Sequence, residues 1–186
     1  MSATPVGELA GDAVEAAALH AERSPQITRR RQLVWQDPVP SASAGATMAG
    51  IDYMRSVSAG EVPPPPIAVL LRMGPTSVEE GSVSFEGSPG EEHYNPIGLV
   101  HGGYAATLLD SAIGCAVHTT LPAGVGYTSL TLEVKYVRPI TRDTGRVRAD
   151  AEVIHRGRRQ ATAEGRLLDS ETGKLLAHAT GTCMIL

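Results

Sequence analysis

Four runs in the second half of the chain alternate apolar and polar residues with the two-residue period of half-buried strands. In "TSLTLEVKYV", Leu130, Leu132, Val134 and Tyr136 alternate with more polar partners. Val147, Ala149, Ala151 and Val153 alternate with Arg146, Arg148, Asp150 and Glu152. "QATAEGRLLD" and "LLAHATGTCMIL" follow, and the runs are parted by the turn signals "RDTG", "HRGRR" and "DSETGK". Upstream, "IAVLLRM" and "SVEEGSVSFEG" read as two strands around "GPT". Between the two groups lies Tyr104–Val117, which is almost wholly apolar, and a helix apolar nearly all round is buried nearly all round. The pattern predicts the order β-β-α-β-β-β-β. Its short turns favour an antiparallel meander. The fold class is α+β, one curved antiparallel sheet wrapped around a central helix.

The N-terminal part is less regular. Residues 1–24 are rich in Ala and Glu and read as a flexible tail, leaving 25–186 as the folded domain. "ITRRRQLVWQDP" reads as a short strand or arm ending at Pro38. "ATMAGIDYMRSV" has helical spacing, with Met48, Ile51 and Met54 near one face. The Pro63–Pro66 run breaks that helix and is expected to be extended.

Composition narrows the function. The 186 residues carry a net charge of -4, which disfavours nucleic-acid binding. Cys115 and Cys183 both sit in apolar runs and are expected to be buried free thiols, which fits a reducing compartment. No run approaches a membrane span, and no signal peptide is visible, so a cytoplasmic location is expected.

The chemistry concentrates in "NPIGLVHGGYAATLLD", residues 95–110. Asp110 is the single charged residue between Tyr104 and Val117. An unpaired carboxylate in a core helix is costly, so Asp110 either lies on an open stripe or has a task. His101, Gly102 and Gly103 precede the helix, whose first turn offers unpaired backbone N–H groups and positive dipole character. Glycine lets a ligand approach those groups closely, which suits a carbonyl oxygen that gains charge during acyl transfer. Asn95 stands seven residues before Gly102, and its amide can orient water or a carbonyl. Eight residues separate Gly102 from Asp110, about 12 Å along a helix. That exceeds hydrogen-bond reach, so the two groups are expected to meet across a two-fold axis, in a dimer with two composite sites.

These residues, with "YTSLTLEVKYVRP", "HRGRRQATAEGRLLD" and "GKLLAHATGTCMI", resemble the hot-dog acyl-CoA thioesterases of the phenylacetate-degradation (PaaI-like) type over about residues 45–186. The resemblance implies that the Gly102 N–H polarises the thioester carbonyl and that Asn95 positions water or thioester. It implies that Asp110 acts as base or nucleophile from the opposite subunit and that His101 supports the site. It also implies an assisting hydroxyl at the start of the next strand, for which Thr128 and Ser129 are the candidates, Ser129 the slightly better match counting back from Tyr136. No cofactor or metal is implied, since coenzyme A is part of the substrate. Gly103, Arg156, Arg158 and Arg159 are candidate substrate contacts, the arginines for the coenzyme A phosphates, with Arg138 and Arg142 weaker ones of the same kind. Tyr53 and Met54 are candidate lid residues.

Other constellations fit less well. "HGG" also occurs in lipase oxyanion loops, but the chain has no G-x-S-x-G elbow. His93, His101, His118, His155 and His178 lack paired metal-ligand spacing. Cys115 near His118 admits a thiol nucleophile, although its apolar neighbours favour packing. On the same fold, a hydratase or dehydratase and a non-catalytic acyl-CoA sensor remain as alternative readings. The acyl group and the choice between coenzyme A and an acyl carrier protein stay open, and further pairing of dimers into a tetramer is expected.

Overall fold

Proline placement decides the start of the fold. The computed structural model describes residues 27–186, of which 33–186 form one compact unit. The expected tail, 1–24, lies outside the described residues. Residues 27–37 carry no strand. Instead helix α1 runs Pro38–Thr47, with Pro38 in the first turn and the Asp37 carboxylate accepting from the Val39 N–H at 2.9 Å. Both are favourable helix starts. The expected helix across 46–57 is shorter: Met48 is extended, and α2 spans Gly50–Ser58.

The chain is extended to Pro65, but Pro66 opens another short helix, α3, Pro66–Leu71. Here the expected strand "IAVLLRM" is overturned. The helix stops because Arg72 takes the left-handed conformation (φ 53°), a place usually held by glycine, so no glycine marks the boundary in sequence. Strand β1 then runs Met73–Glu79 and pairs antiparallel with β2, Ser82–Gly87. The turn lies at Glu80 and Gly81; "GPT" is inside β1 rather than between strands.

Central helix α4 covers Gly102–Thr119. It is followed by β3 (Tyr127–Tyr136), β4 (Val147–Arg156), β5 (Gln160–Asp169) and β6 (Leu175–Ile185). The six strands form one antiparallel sheet in the order β1-β2-β4-β5-β6-β3. Only β4-β5-β6 is a meander. Strand β3 does not pair with β4; it crosses to the far edge and lies against β6.

The sheet approaches α4 closely where its inward positions are small, although Val83, Phe85, Val147 and Leu167 are also buried on that face. Ala149, Ala151, Ala161, Ala163, Ala177 and Ala179 face the helix and are buried, as are Leu108, Leu109, Ile113 and Val117 of the helix. Two inward positions are glycines that admit the largest helix side chains. A Cβ on Gly165 would stand 3.1 Å from Leu109 Cδ2, and one on Gly181 would stand 2.9 Å from Ile113 Cγ2. Large-on-helix, small-on-sheet packing is how one curved layer reaches interior density.

The helix is not enclosed on every side. Gly103 is exposed, and Ala106, Thr107, Asp110, Ser111 and Cys115 are only half-buried. At three- and four-residue spacing they form one stripe, and Asp110 lies on it.

Helix α2 is keyed onto the end of α4. The Gly50 N–H donates to Leu121 O at 3.0 Å, and a Cβ on Gly50 would lie 1.8 Å from the His118 carbonyl oxygen. Tyr53 packs its ring 5.4 Å from His118 and hydrogen-bonds the buried Ser41 hydroxyl at 3.0 Å. Since backbone cannot yield as a flexible side chain does, Gly50→Ala is expected to destabilise the protein by about 3 kcal/mol, the upper range for overpacking. Urea unfolding of the two proteins measures it.

Candidate active site

The turn that leads into α4 is built by Asn95. Tyr94 and Val100 form a β-bridge, and the Asn95 N–H donates to Leu99 O at 2.7 Å. The side-chain Oδ1 accepts from the N–H groups of Ile97 (3.1 Å) and Leu99 (3.0 Å). Those two bonds assign the amide orientation. The Nδ2 group is the outward half, and it makes no hydrogen bond among the described residues.

His101 caps the helix. Its Nδ1 accepts from the Gly103 N–H at 2.9 Å, which uses the donor that Gly103 was expected to offer a substrate. The Gly102 N–H stands one residue earlier and has no acceptor among the described residues. It is therefore the N–H of this turn that is open to a ligand, backed by the positive end of α4. Asn95 and Gly102 line a common cavity of about 310 Å³ with Leu99, Ala105, Tyr136, Arg138 and Ile140.

Tyr136 is a member of this cavity that the sequence reading used only as a strand residue. Its hydroxyl donates to Gly102 O at 3.1 Å, and a Cβ on Gly102 would stand 3.1 Å from its ring. The glycine and the tyrosine are thus matched. The sequence signal was available in "KYVRP", where the strand end must approach the helix start. Arg138, two residues on, donates to Leu175 O at 2.7 Å, which holds its guanidinium at the rim.

Asp110 lies in a different cavity. It is half-buried, and its Oδ1 accepts from Ser129 Oγ at 3.0 Å. Of the two hydroxyl candidates, Ser129 reaches the carboxylate; Thr128 is exposed and lines neither cavity. The cavity holds about 250 Å³ and extends from Asp110, Ser111 and Ser129 to Met54, Val57, Ile67, Met73, Phe85 and Tyr127. Tyr53 and Met54, the candidate lid residues, are in its wall. The rest of that wall was not legible in sequence because it is assembled from α2, α3, β1, β2, α4 and β3 together with the proline linker.

The basic hairpin is less unified than its spacing suggested. Arg156, Arg158 and Arg159 are all exposed, and none forms an ion pair among the described residues. Arg159 lines a shallow cavity of about 460 Å³ with His155 and Gln160, which Arg156 and Arg158 do not line. Arg142 sits in a short turn after Thr141 and lines neither of the two cavities on α4.

Both cysteines are free. Burial pushes the Cys115 thiol up to about 12; a hydrogen bond with Tyr127 lowers it only in part, and the Asp110 charge raises it further. A thiol so placed stays protonated at neutral pH and is not a nucleophile. Among the described residues, no group of three His, Cys, Asp or Glu side chains could hold a metal ion, and no helix is long and apolar enough to cross a membrane.

A curved six-stranded sheet around one helix, with a capped Gly102 turn and an in-helix carboxylate, defines a hot-dog fold with thioester-compatible groups. Comparison with known proteins agrees. A family model described as the thioesterase superfamily matches residues 97–176. Human acyl-coenzyme A thioesterase 13 is 32% identical over 114 residues, which is 61% of this chain and 80% of that protein. A phenylacetic acid degradation-related protein from Ralstonia eutropha JMP134 is 33% identical with a TM-score of 0.64, covering 71% of this chain and 98% of the other. The PaaI protein of E. coli, at 19% identity, shares the fold with a TM-score of 0.63 over 72% of this chain and 93% of its own. The chain belongs to the thioesterase superfamily, as a hot-dog thioester hydrolase of the PaaI-like type.

Because Cys115 is a protonated packing residue, Cys115→Ala is expected to keep thioester hydrolysis within about threefold of the parent. Native protein should also resist an aromatic disulfide reagent at pH 8, and react once unfolded. Rapid labelling in the native state would contradict this.

Proposed function

We propose that the protein is an acyl-CoA thioesterase, hydrolysing R–CO–S–CoA to the free acid and coenzyme A at composite sites shared by two copies of the chain. The observation that carries this reading is the distribution of groups along α4. The free Gly102 N–H and the Asn95 amide open into one cavity, and the Asp110–Ser129 pair opens into another. Eight residues of helix, about 12 Å, lie between them. Neither cavity alone holds both a carbonyl-polarising donor and a carboxylate. An antiparallel second copy joins the two, since a two-fold axis presents each helix start to the other helix's Asp110. The half-buried stripe of α4 and the edge strand β3, with Leu130 and Tyr136 exposed, are surfaces such a pairing would cover.

At such a site the thioester carbonyl accepts from the Gly102 N–H, and Asn95 Nδ2 orients the reactants. Asp110, held by Ser129, either takes a proton from water as the oxygen attacks the carbonyl carbon, or attacks that carbon itself. In the first route a tetrahedral oxyanion forms, the C–S bond breaks, and the thiolate leaves and is protonated. In the second the carboxylate oxygen bonds to the carbonyl carbon as the C–S bond breaks, the thiolate leaves and is protonated, and water cleaves the acyl–Asp anhydride to the free acid and the Asp110 carboxylate. Either route needs no cofactor, because the thiolate is already a good leaving group. His101 serves as a positioning residue through its cap on Gly103. Arg138 and the Arg156, Arg158 and Arg159 hairpin supply cations for the coenzyme A phosphates.

Two experiments follow. Asp110→Asn should keep its fold and lose about 10²–10⁴-fold in kcat for thiol release, the usual weight of a positioned acid–base group. Full activity in that variant would remove Asp110 from the reaction. Mixing is the sharper probe. When Asp110→Asn and Asn95→Ala chains are co-expressed, each mixed dimer contains one intact composite site. About a quarter of parental activity should then return, from random pairing under two-fold symmetry. If the two groups served a site within one chain, mixing would restore none.

A further inference from the structure

We infer that the acyl-group selectivity of this enzyme is set by α2 and the linker that follows it, which precede the part of the chain matched by the thioesterase family model. The inference rests on the acyl-CoA reading above and assigns the cavity at Asp110 to the acyl group. The family match begins at residue 97, whereas Tyr53, Met54, Val57, Pro64 and Pro65 all line that cavity. One side of the cavity, with Asp110 and Ser129, thus comes from the matched region, and the opposite wall comes from the segment before it.

Three features make α2 a fixed wall. Tyr53, Met54 and Val57 fall at i, i+1 and i+4, on one helical face. The helix cannot slide, because Gly50 abuts the His118 carbonyl with no room for a Cβ. Its Tyr53 is held on both sides, by Ser41 at 3.0 Å and by the His118 ring at 5.4 Å; the far face of His118 packs on Tyr127, ring centres 5.3 Å apart. A wall pinned in this way truncates the cavity and does not swing aside for a longer ligand.

The dimensions and the polarity define the ligand. The cavity holds about 250 Å³. That is at the small end of ligand pockets, sized for a short to medium acyl chain rather than a long one. Asp110 is the one charged residue in the lining. A second carboxylate on the acyl group would face that charge with no cation to pair it. The structure thus assigns neutral, apolar acyl groups of short to medium length and disfavours acyl groups that end in a carboxylate.

The test varies Val57, which is half-buried and has no part in the chemistry. Thiol release is followed for butyryl-, octanoyl-, dodecanoyl- and succinyl-CoA, with the parent protein expected to favour octanoyl over dodecanoyl and succinyl. Val57→Phe should lose at least tenfold in kcat/KM for octanoyl-CoA and stay within threefold for butyryl-CoA. Val57→Ala should move the optimum toward dodecanoyl-CoA, and it serves if the larger side chain prevents folding. Chain-length profiles parallel to the parent in both variants would overturn the inference while leaving the thioesterase reading intact. If the parent released no thiol from any of the four, the thioesterase reading would fall, and calorimetric titration with the neutral octanamide would decide the pocket by itself. Binding that weakens at least tenfold in Val57→Phe would sustain the pocket assignment, and no octanamide binding by the parent would overturn it.

Discussion

The whole molecule depends on one packing constraint: an almost entirely apolar helix has to be covered by a single layer of sheet. A flat sheet cannot cover three sides of a helix, so the sheet must curl, and it comes closest where its inner face is small. Alanine at Ala149, Ala151, Ala161, Ala163, Ala177 and Ala179, with glycine at Gly165 and Gly181, lets the strands approach α4 until Leu109 and Ile113 fill the gap. At these positions the large apolar volume is thus carried by the helix rather than the sheet. The remaining side of α4 is left partly open, and Asp110 occupies it.

That open stripe explains how a carboxylate survives in a core helix. Asp110 keeps contact with solvent and accepts a hydrogen bond from Ser129, so it is never an unpaired buried charge. The N-terminal turn is built on the opposite logic. There the protein consumes one donor internally, Gly103 to His101 Nδ1, and leaves the neighbouring Gly102 N–H open. Tyr136 then closes over the carbonyl of the same glycine. One helix therefore supports two polar environments about 12 Å apart.

The strand segments of the C-terminal half were legible because each reports its own period: β5 covers the quoted "QATAEGRLLD" from end to end. The N-terminal half was legible only in part: α2 and β2 were read, α1 and α3 were not. Helix α1 has only Ser41 buried and so no apolar stripe to read, and α3 ends at a left-handed arginine rather than a glycine. The residues of "NPIGLVHGGYAATLLD" were readable because the catalytic candidates lie in one local stretch. The companion groups were less so: Ser129 was only slightly favoured over Thr128 by its count back from Tyr136, and Tyr136 is 34 residues from the glycine it covers.

By itself the sequence determined the central helix and the four C-terminal strands, since these follow from local periodicity, and it offered candidates for thioester chemistry through residue type and family resemblance. Tertiary structure alone decided that β3 leaves β4 and pairs with β6, that Asp110 meets Ser129, and that α2 walls the cavity beside them. The reason is physical: strand order and cavity shape depend on contacts between segments distant in the chain, and a contact that closes a long loop leaves no periodic trace in either partner.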